Sequence, residues 1–370
     1  MPAADSSFDT LIVGGGVIGC AIAWRLAQAR QRVALIERHE PGQEASWAAG
    51  GMLAAQAEAD QADAFLELAL ASRALYSSFA AELHTATGIN IEYRTEGTLY
   101  LALTDQDEAE LEHRWQWQHA AGLNTKKLTR ACTHKLEPQL NDKLRWALKF
   151  PDDHQVNARQ LTTALIAAAR LAGVTIFSNT EAHQLLISGK QVQGVATSKG
   201  ELRAATTILT AGAWTSQLTQ AVPTEPVRGQ MIALPMTAPP LRHVVYSCRS
   251  YLVPRSAGFL IAGSTTEYAG FEKTTTDAGI ASIVERSCEI APSLAGKPLL
   301  ETWAGLRPKN TRDDWPVIGF GTQYQGLLYA TGHYRNGILL TPITAQAISE
   351  LVLRGESSVN LQAFSFARFT

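Results

Sequence analysis

The pattern of apolar and polar positions divides this chain into α/β ends and a strand-rich middle. Phe8 to Val13 is a short β-branched apolar run that ends at glycine, as a buried strand does. Ile22, Ala23, Leu26 and Ala27 follow with helical spacing, and Arg32 to Ile36 forms a second apolar run closed by Glu37. Ala64 to Thr87 carries Leu68, Leu75, Phe79 and Leu83 on one helical face, and Gly88 stops it. INIEYRTEGTLYLAL alternates, which predicts a half-buried, antiparallel strand pair, and Asp105 to Ala121 predicts a helix ended by Gly122. Asn157 is a candidate cap for a helix that Gly173 ends, with a strand at Val174 to Phe177. GVATSKGELRAATTIL reads as a hairpin, and its last strand, Thr207 to Thr210, runs into a small-residue turn, Ala211 to Trp214. From Val227 to about Ser287 the signals are mainly strands. Gly326 to Ala330 is the last strand, followed by a polar loop and a helix to Leu353 before Gly355.

This order predicts an α/β protein in which a Rossmann-like dinucleotide-binding domain is interleaved with a domain on a largely antiparallel sheet. The expected boundaries are 1–88, 150–226 and 300–370 for the first, and 89–149 and 227–299 for the second. A length of 370 residues accommodates both.

Composition narrows the function classes. A net charge of -2 without a basic cluster argues against nucleic acid as a partner. No apolar run approaches the roughly 18 residues of a membrane helix, and the N-terminus lacks the basic and apolar regions of a signal peptide. A cytoplasmic protein without a membrane partner is expected. Cys20, Cys132, Cys248 and Cys288 lie far apart in no metal-ligating spacing, so no metal is expected. Free thiols are expected, although an even count leaves a disulfide open.

The most informative local pattern is VGGGVIG. Gly14, Gly16 and Gly19 form G-x-G-x-x-G between a strand and a helix. The first glycine permits the tight turn, the second lets backbone approach a pyrophosphate, and the third lets helix and strand pack closely. The helix N-terminus adds free amides for the phosphates. Glu37 stands where an acid accepts ribose hydroxyls, and its charge disfavours a 2′-phosphate. EASWAAGGML and TAGAW are small-residue stretches able to lie against a flat ligand. These residues leave FAD and NAD both open.

In order along the chain, DTLIVGGGVIG, ALIER, AAGGML, TAGAW, YLVPR, WAGLRP, PVIG and GHYRNGILL resemble the D-amino-acid oxidase family of flavoproteins, most closely its glycine-oxidising members. The resemblance spans nearly the whole chain, and WAGLRP followed by GHYRNGILL is its most specific part. It implies non-covalent FAD, since no histidine stands in SWAAGG and neither Cys248 nor Cys288 has the context of a flavin link. The expected cofactor contacts are Gly14, Gly16, Val17, Ile18, Gly19, Glu37, Arg38, Ser46, Ala49, Gly50, Gly51, Met52, Ala182, Ala211, Gly212, Trp214, Arg307, His333, Tyr334, Arg335, Asn336, Gly337 and Ile338. TGHYRNGILLTP is expected to place a helix N-terminus against the flavin ring, where its dipole favours the reduced, anionic form. His333 is expected to bond cofactor or backbone, and His154 to be structural; neither is expected to act as acid or base.

Arg307 precedes Pro308, so its backbone is biased to an extended shape, and its planar fork matches a carboxylate. The resemblance makes it the carboxylate anchor; the other reading is an ion pair with Asp313 or Asp314. Tyr251 is expected beside it, the alternative being an ordinary core tyrosine. The carbonyl of Arg335 is expected to accept from the substrate amine, with its side chain lining or gating the pocket. Met52 and Thr266 are expected to line that pocket, Thr266 standing where the resemblance leads one to expect methionine. The implied activity is oxidation of glycine, sarcosine or small D-amino acids by O2 to a keto acid, ammonia or amine, and hydrogen peroxide. A role in thiamine synthesis and a homo-oligomer are further implications. The alternative is a flavin-dependent D-amino-acid dehydrogenase that passes electrons to a quinone.

Overall fold

The computed structural model describes residues 8–369; the reading of the first residues as lacking a signal peptide falls largely outside them. Two large sheets organise the chain. In the first, Phe8–Val13 is central, with Val33–Ile36 and Gly200–Leu209 parallel on either side. Thr175–Phe177 extends one edge and Leu327–Thr331 the other, both parallel, and Val317–Phe320 closes that edge antiparallel. The hairpin is present as expected, with Thr197 paired to Gly200. The helices Val17–Gln28, Ala158–Leu171 and Thr341–Arg354 pack on this sheet and on one another, burying Ile22, Leu26, Leu161, Leu165, Ile343 and Ile348.

The second sheet runs, in spatial order, Glu301–Asn310, Thr224–Pro235, Phe259–Gly263, Tyr251–Pro254, Val244–Tyr246, Thr98–Ala102, Trp146–Phe150 and Lys126–Thr129. Neighbours are antiparallel except Val244–Tyr246 with Thr98–Ala102, which are parallel. Glu301–Asn310 therefore pairs outside the first sheet although the flanking Val317–Phe320 belongs to it.

Local chemistry explains the helix ends. The Asp63 side chain accepts from the Leu66 amide at 2.9 Å to start Ala64–Thr87, and Gly88 at φ 72° ends it. Asn157 caps Ala158–Leu171 through the Gln160 amide. Two expectations fail, and one element was not anticipated. INIEYRTEGTLYLAL gives one strand, Thr98–Ala102, and it is buried on both faces because helix and sheet cover it; only an isolated bridge from Arg94 to Gln155 stands for the other. The supposedly strand-rich middle contains a helix, Asp277–Ile290, capped by Thr276. A further short helix, Arg130–Leu136, starts at the Thr129 cap. Threonine caps start both, and in the longer helix Ile280, Ile283, Val284 and Ile290 form the core-facing side.

Candidate active site

A single elongated cavity runs from the glycine turn of the first sheet to the inner strands of the second. At the first end, Gly14 has φ 114°, and a Cβ there would sit 2.4 Å from the Thr210 carbonyl oxygen. Gly19 does not line the cavity. It packs on the turn instead, where a Cβ would meet the Gly14 carbonyl oxygen at 2.0 Å. The Glu37 carboxylate accepts from the Gly15 amide at 2.8 Å and lines the cavity with Arg38. Ser46 Oγ accepts from the Val17 amide at 3.0 Å, tying the small-residue segment to the helix start. Ile18, Ala49, Gly50, Gly51, Met52, Ala182, Ala211, Gly212 and Trp214 line the same cavity.

At the other end, His333 to Ile338 form the wall. The final helix begins at Thr341, later than the loop itself, because residues 337–340 form turns and Pro342 stands in the first helical turn. The turns nevertheless leave amides free: those of Gly337, Ile338 and Leu339 reach no acceptor among the described residues. His333 is buried, its Nε2 lies 3.1 Å from Thr344 Oγ1, and burial lowers its pKa to about 3, so the ring is neutral.

Arg307 projects from Glu301–Asn310 into this end. Its Nη2 donates to Ser264 Oγ at 2.7 Å and its Nη1 to the Thr265 carbonyl at 3.2 Å. Both partners are neutral. Asp313 pairs with Arg368 at 2.7 Å and Asp314 with Lys309 at 3.4 Å, so the alternative ion pairs of Arg307 are absent. Burial lowers the Arg307 pKa; Tyr251 offsets part of this and the Arg335 charge adds to it. A buried guanidinium that feels the Glu58 charge but touches no carboxylate among the described residues favours an anion beside it. Tyr251 Oη is beside it in the wall and meets Met231 Sδ at 3.2 Å.

Arg335 pairs with Glu58 at 3.1 Å, its side chain still one-third open at 33%. Glu58 also accepts from Tyr246 Oη at 2.6 Å. Burial pushes the Glu58 carboxyl up, but Arg335, Tyr246 and the charge of Arg307 together hold it below the ordinary range. The carbonyl oxygen of Arg335 accepts from no donor among the described residues. Thr266 is exposed and lines an outer cavity that shares Glu58, Tyr251, Tyr334, Arg335 and Asn336 with the inner one. His154 is partly buried and its Nδ1 lies 2.7 Å from Tyr93 Oη.

Sequence reasoning missed Glu58, Gly229 and Met231, all of which line the inner cavity. Glu58 follows the AAGGML segment closely, which was a usable signal. Gly229 and Met231 sit in an apolar strand that looked like ordinary core.

A family model described as FAD dependent oxidoreductase (DAO) matches residues 9–351. The chain belongs to this family. It is an FAD-dependent oxidoreductase with the D-amino-acid oxidase-like fold of mixed α/β sheets, similar to glycine oxidases. It is 34% identical over 367 residues to the glycine oxidase of Geobacillus kaustophilus, covering 98% of this chain and 97% of that one. The crystal structure of glycine oxidase from that organism superposes with a TM-score of 0.94, covering 98% and 99% of the two chains. A bifunctional ThiO/ThiG protein of Nostoc is 36% identical over 97% of this chain, which spans only 55% of that protein. The residues fit FAD: glycines keep the turn bare at one end, and unpartnered amides stand at the other. No helix among the described residues is long and apolar enough to cross a membrane, and no group of acidic, histidine or cysteine side chains among them suits a metal.

Proposed function

We propose that this protein oxidises glycine and other small amines that carry a carboxylate, including sarcosine and small D-amino acids. One observation carries the reading: Arg307 presents a guanidinium without a carboxylate partner beside Tyr251, within the cavity that the family's cofactor requires. In this reading Arg307 grips the carboxylate with two charge-assisted bonds, and the Tyr251 hydroxyl donates a third. The free Arg335 carbonyl accepts from the amine and holds it. A main-chain carbonyl accepts a hydrogen bond but is too weak a base to remove a proton, so these residues position the substrate rather than act as acid or base. His333 is buried, neutral and bonded to Thr344, in keeping with a structural task. FAD, when bound, supplies the two-electron acceptor.

In the overall reaction the amine loses two electrons and two protons to become an imine, and O2 takes them up as hydrogen peroxide. Water then hydrolyses the imine to a keto acid and ammonia or an amine. The finer cofactor reading is a Rossmann-like domain holding FAD through the glycine turn and Glu37, with the substrate bound over the antiparallel sheet. None of Cys20, Cys132, Cys248 or Cys288 lines the inner cavity, which supports non-covalent FAD. Supply of an imine for thiazole formation in thiamine synthesis is the physiological role we assign, supported by the resemblance and by the likeness to ThiO/ThiG. A cytoplasmic homo-oligomer completes the reading.

The test is anaerobic flavin reduction by glycine, sarcosine, D-alanine and D-proline, repeated with Arg307→Ala. Bleaching by at least one of them, with half-saturation raised about a hundredfold in the variant, supports the reading. Failure of every substrate to bleach the wild type overturns it. Reoxidation by O2 then separates an oxidase from a quinone-linked dehydrogenase.

A further inference from the structure

The connection 264–276, between the strand Phe259–Gly263 and the helix Asp277–Ile290, has no regular structure and is mostly exposed. Its base is fixed to its own sheet. Glu267 accepts from Arg228 Nε at 2.6 Å and from Gln230 Nε2 at 2.9 Å, and Gln230 also reaches Thr276 Oγ1 at 3.0 Å. Its tip leaves that sheet and crosses to the other side of the cavity. Lys273 Nζ donates to Glu44 Oε2 at 2.9 Å and to the Gln43 carbonyl at 2.8 Å. The Phe271 ring lies 5.4 Å from the Trp214 ring.

Arg38 joins the two anchor points. Its Nη2 lies 3.3 Å from Glu44 Oε1, and its guanidinium carbon lies 3.6 Å from the Trp214 ring centroid. The contacts therefore close a ring: Lys273, Glu44, Arg38, Trp214, Phe271. Arg38, Glu44 and Trp214 line the cavity at its Glu37 end; Phe271 and Lys273 do not. Phe271 remains 44% exposed, so burial alone does not account for where it rests. Two sequence-remote segments have instead been brought together across the wall of the cofactor cavity by one ion pair, one hydrogen bond to the Gln43 carbonyl and one aromatic contact.

We propose that the tip of this connection is a latch on the Glu37 end of the cavity and sets the rate at which FAD is released. Opening that end requires Lys273 to leave Glu44 and Phe271 to leave Trp214. Each contact is individually weak, because the ion pair is partly solvated and the aromatic pair is half open. Their sum retards release without making loading irreversible. The inference depends on FAD binding and not on which amine is oxidised.

The experiment follows FAD release from the purified holoprotein after dilution, by the rise of free-flavin fluorescence and without substrate. Lys273→Ala and Phe271→Ala are each expected to release FAD about fivefold faster, and the double variant more than tenfold faster. Added salt is expected to accelerate wild-type release, and Lys273→Ala to lose most of that dependence while Lys273→Arg keeps it. Thr275→Ala, in the same exposed connection, serves as the control and is expected to release at the wild-type rate. Unchanged release in the double variant overturns the latch. So does a Thr275→Ala protein that releases FAD as fast as the two tip variants, since loosening of the loop in general would then be the cause.

Discussion

The guanidinium of Arg307 lies against the bare backbone of Gly229. A Cβ at that position would sit 2.2 Å from Nη2 and 2.3 Å from both Cζ and Nη1. The clash falls on the end of a flexible side chain, so the fork can swing away, but only by giving up its bonds to Ser264 and Thr265. Gly229→Ala is therefore expected to displace the fork while leaving the FAD-side glycines untouched. Loss of its charge-assisted bonds, about 1.5–3 kcal/mol, is roughly a 10- to 100-fold rise in half-saturation for the amino acid. Anaerobic reduction at varied substrate concentration measures it; an unchanged half-saturation refutes the role given to the fork.

The two arginines should not behave alike. Arg335 presents its main-chain carbonyl, and its side chain is engaged by Glu58. Arg335→Ala keeps the carbonyl and is expected to change substrate half-saturation by less than about tenfold, against about a hundredfold for Arg307→Ala. Parallel titrations of the two variants decide this. Equal losses would mean that the Arg335 side chain binds substrate directly.

His333 supplies a pH prediction. Burial holds its folded-state pKa at about 3, below the ordinary histidine value. Between those values the unfolded chain binds a proton that the folded one does not, so stability is full above about pH 6.5 and falls as pH drops below it. The slope is about 1.4 kcal/mol per pH unit, or about 2 kcal/mol by pH 5. Urea unfolding of wild type and His333→Gln at pH 7 and pH 5 tests this: the variant should lose about 2 kcal/mol less on acidification.

Gly19→Ala tests the packing role assigned to the third glycine. Its Cβ would meet the Gly14 carbonyl oxygen at 2.0 Å, backbone that has no flexible end to move aside. The helix must shift from the turn, and the purified variant is expected to lose most of its visible flavin absorbance. Full retention of flavin would show that the turn tolerates the shift.

Much of the cofactor end was legible because its chemistry is local. Gly14 to Gly19, Glu37 and the segment around Ser46 act through backbone shape and short-range spacing, which a linear pattern carries directly. Asn157 and Gly88 marked helix ends for the same reason. The missed helix Asp277–Ile290 was legible in the same way: Ile280, Ile283, Val284 and Ile290 recur at helical spacing behind a Thr276 cap. Resemblance carried the choice of Arg307 and Tyr251, since an arginine before a proline says only that the backbone is extended.

Sequence alone thus determined the dinucleotide turn, most helix limits and the family, each of which depends on residues close in the chain or on ordered motifs. Tertiary structure alone decided that Arg307 has no carboxylate partner among the described residues, that Gly229 makes room for it, that Glu58 takes the side chain of Arg335, and that Thr266 lines the outer cavity. The physical reason is distance along the chain. Charge compensation and steric clearance are settled by groups that the two sheets bring together from segments far apart, and no local pattern records which of several acids or glycines will arrive.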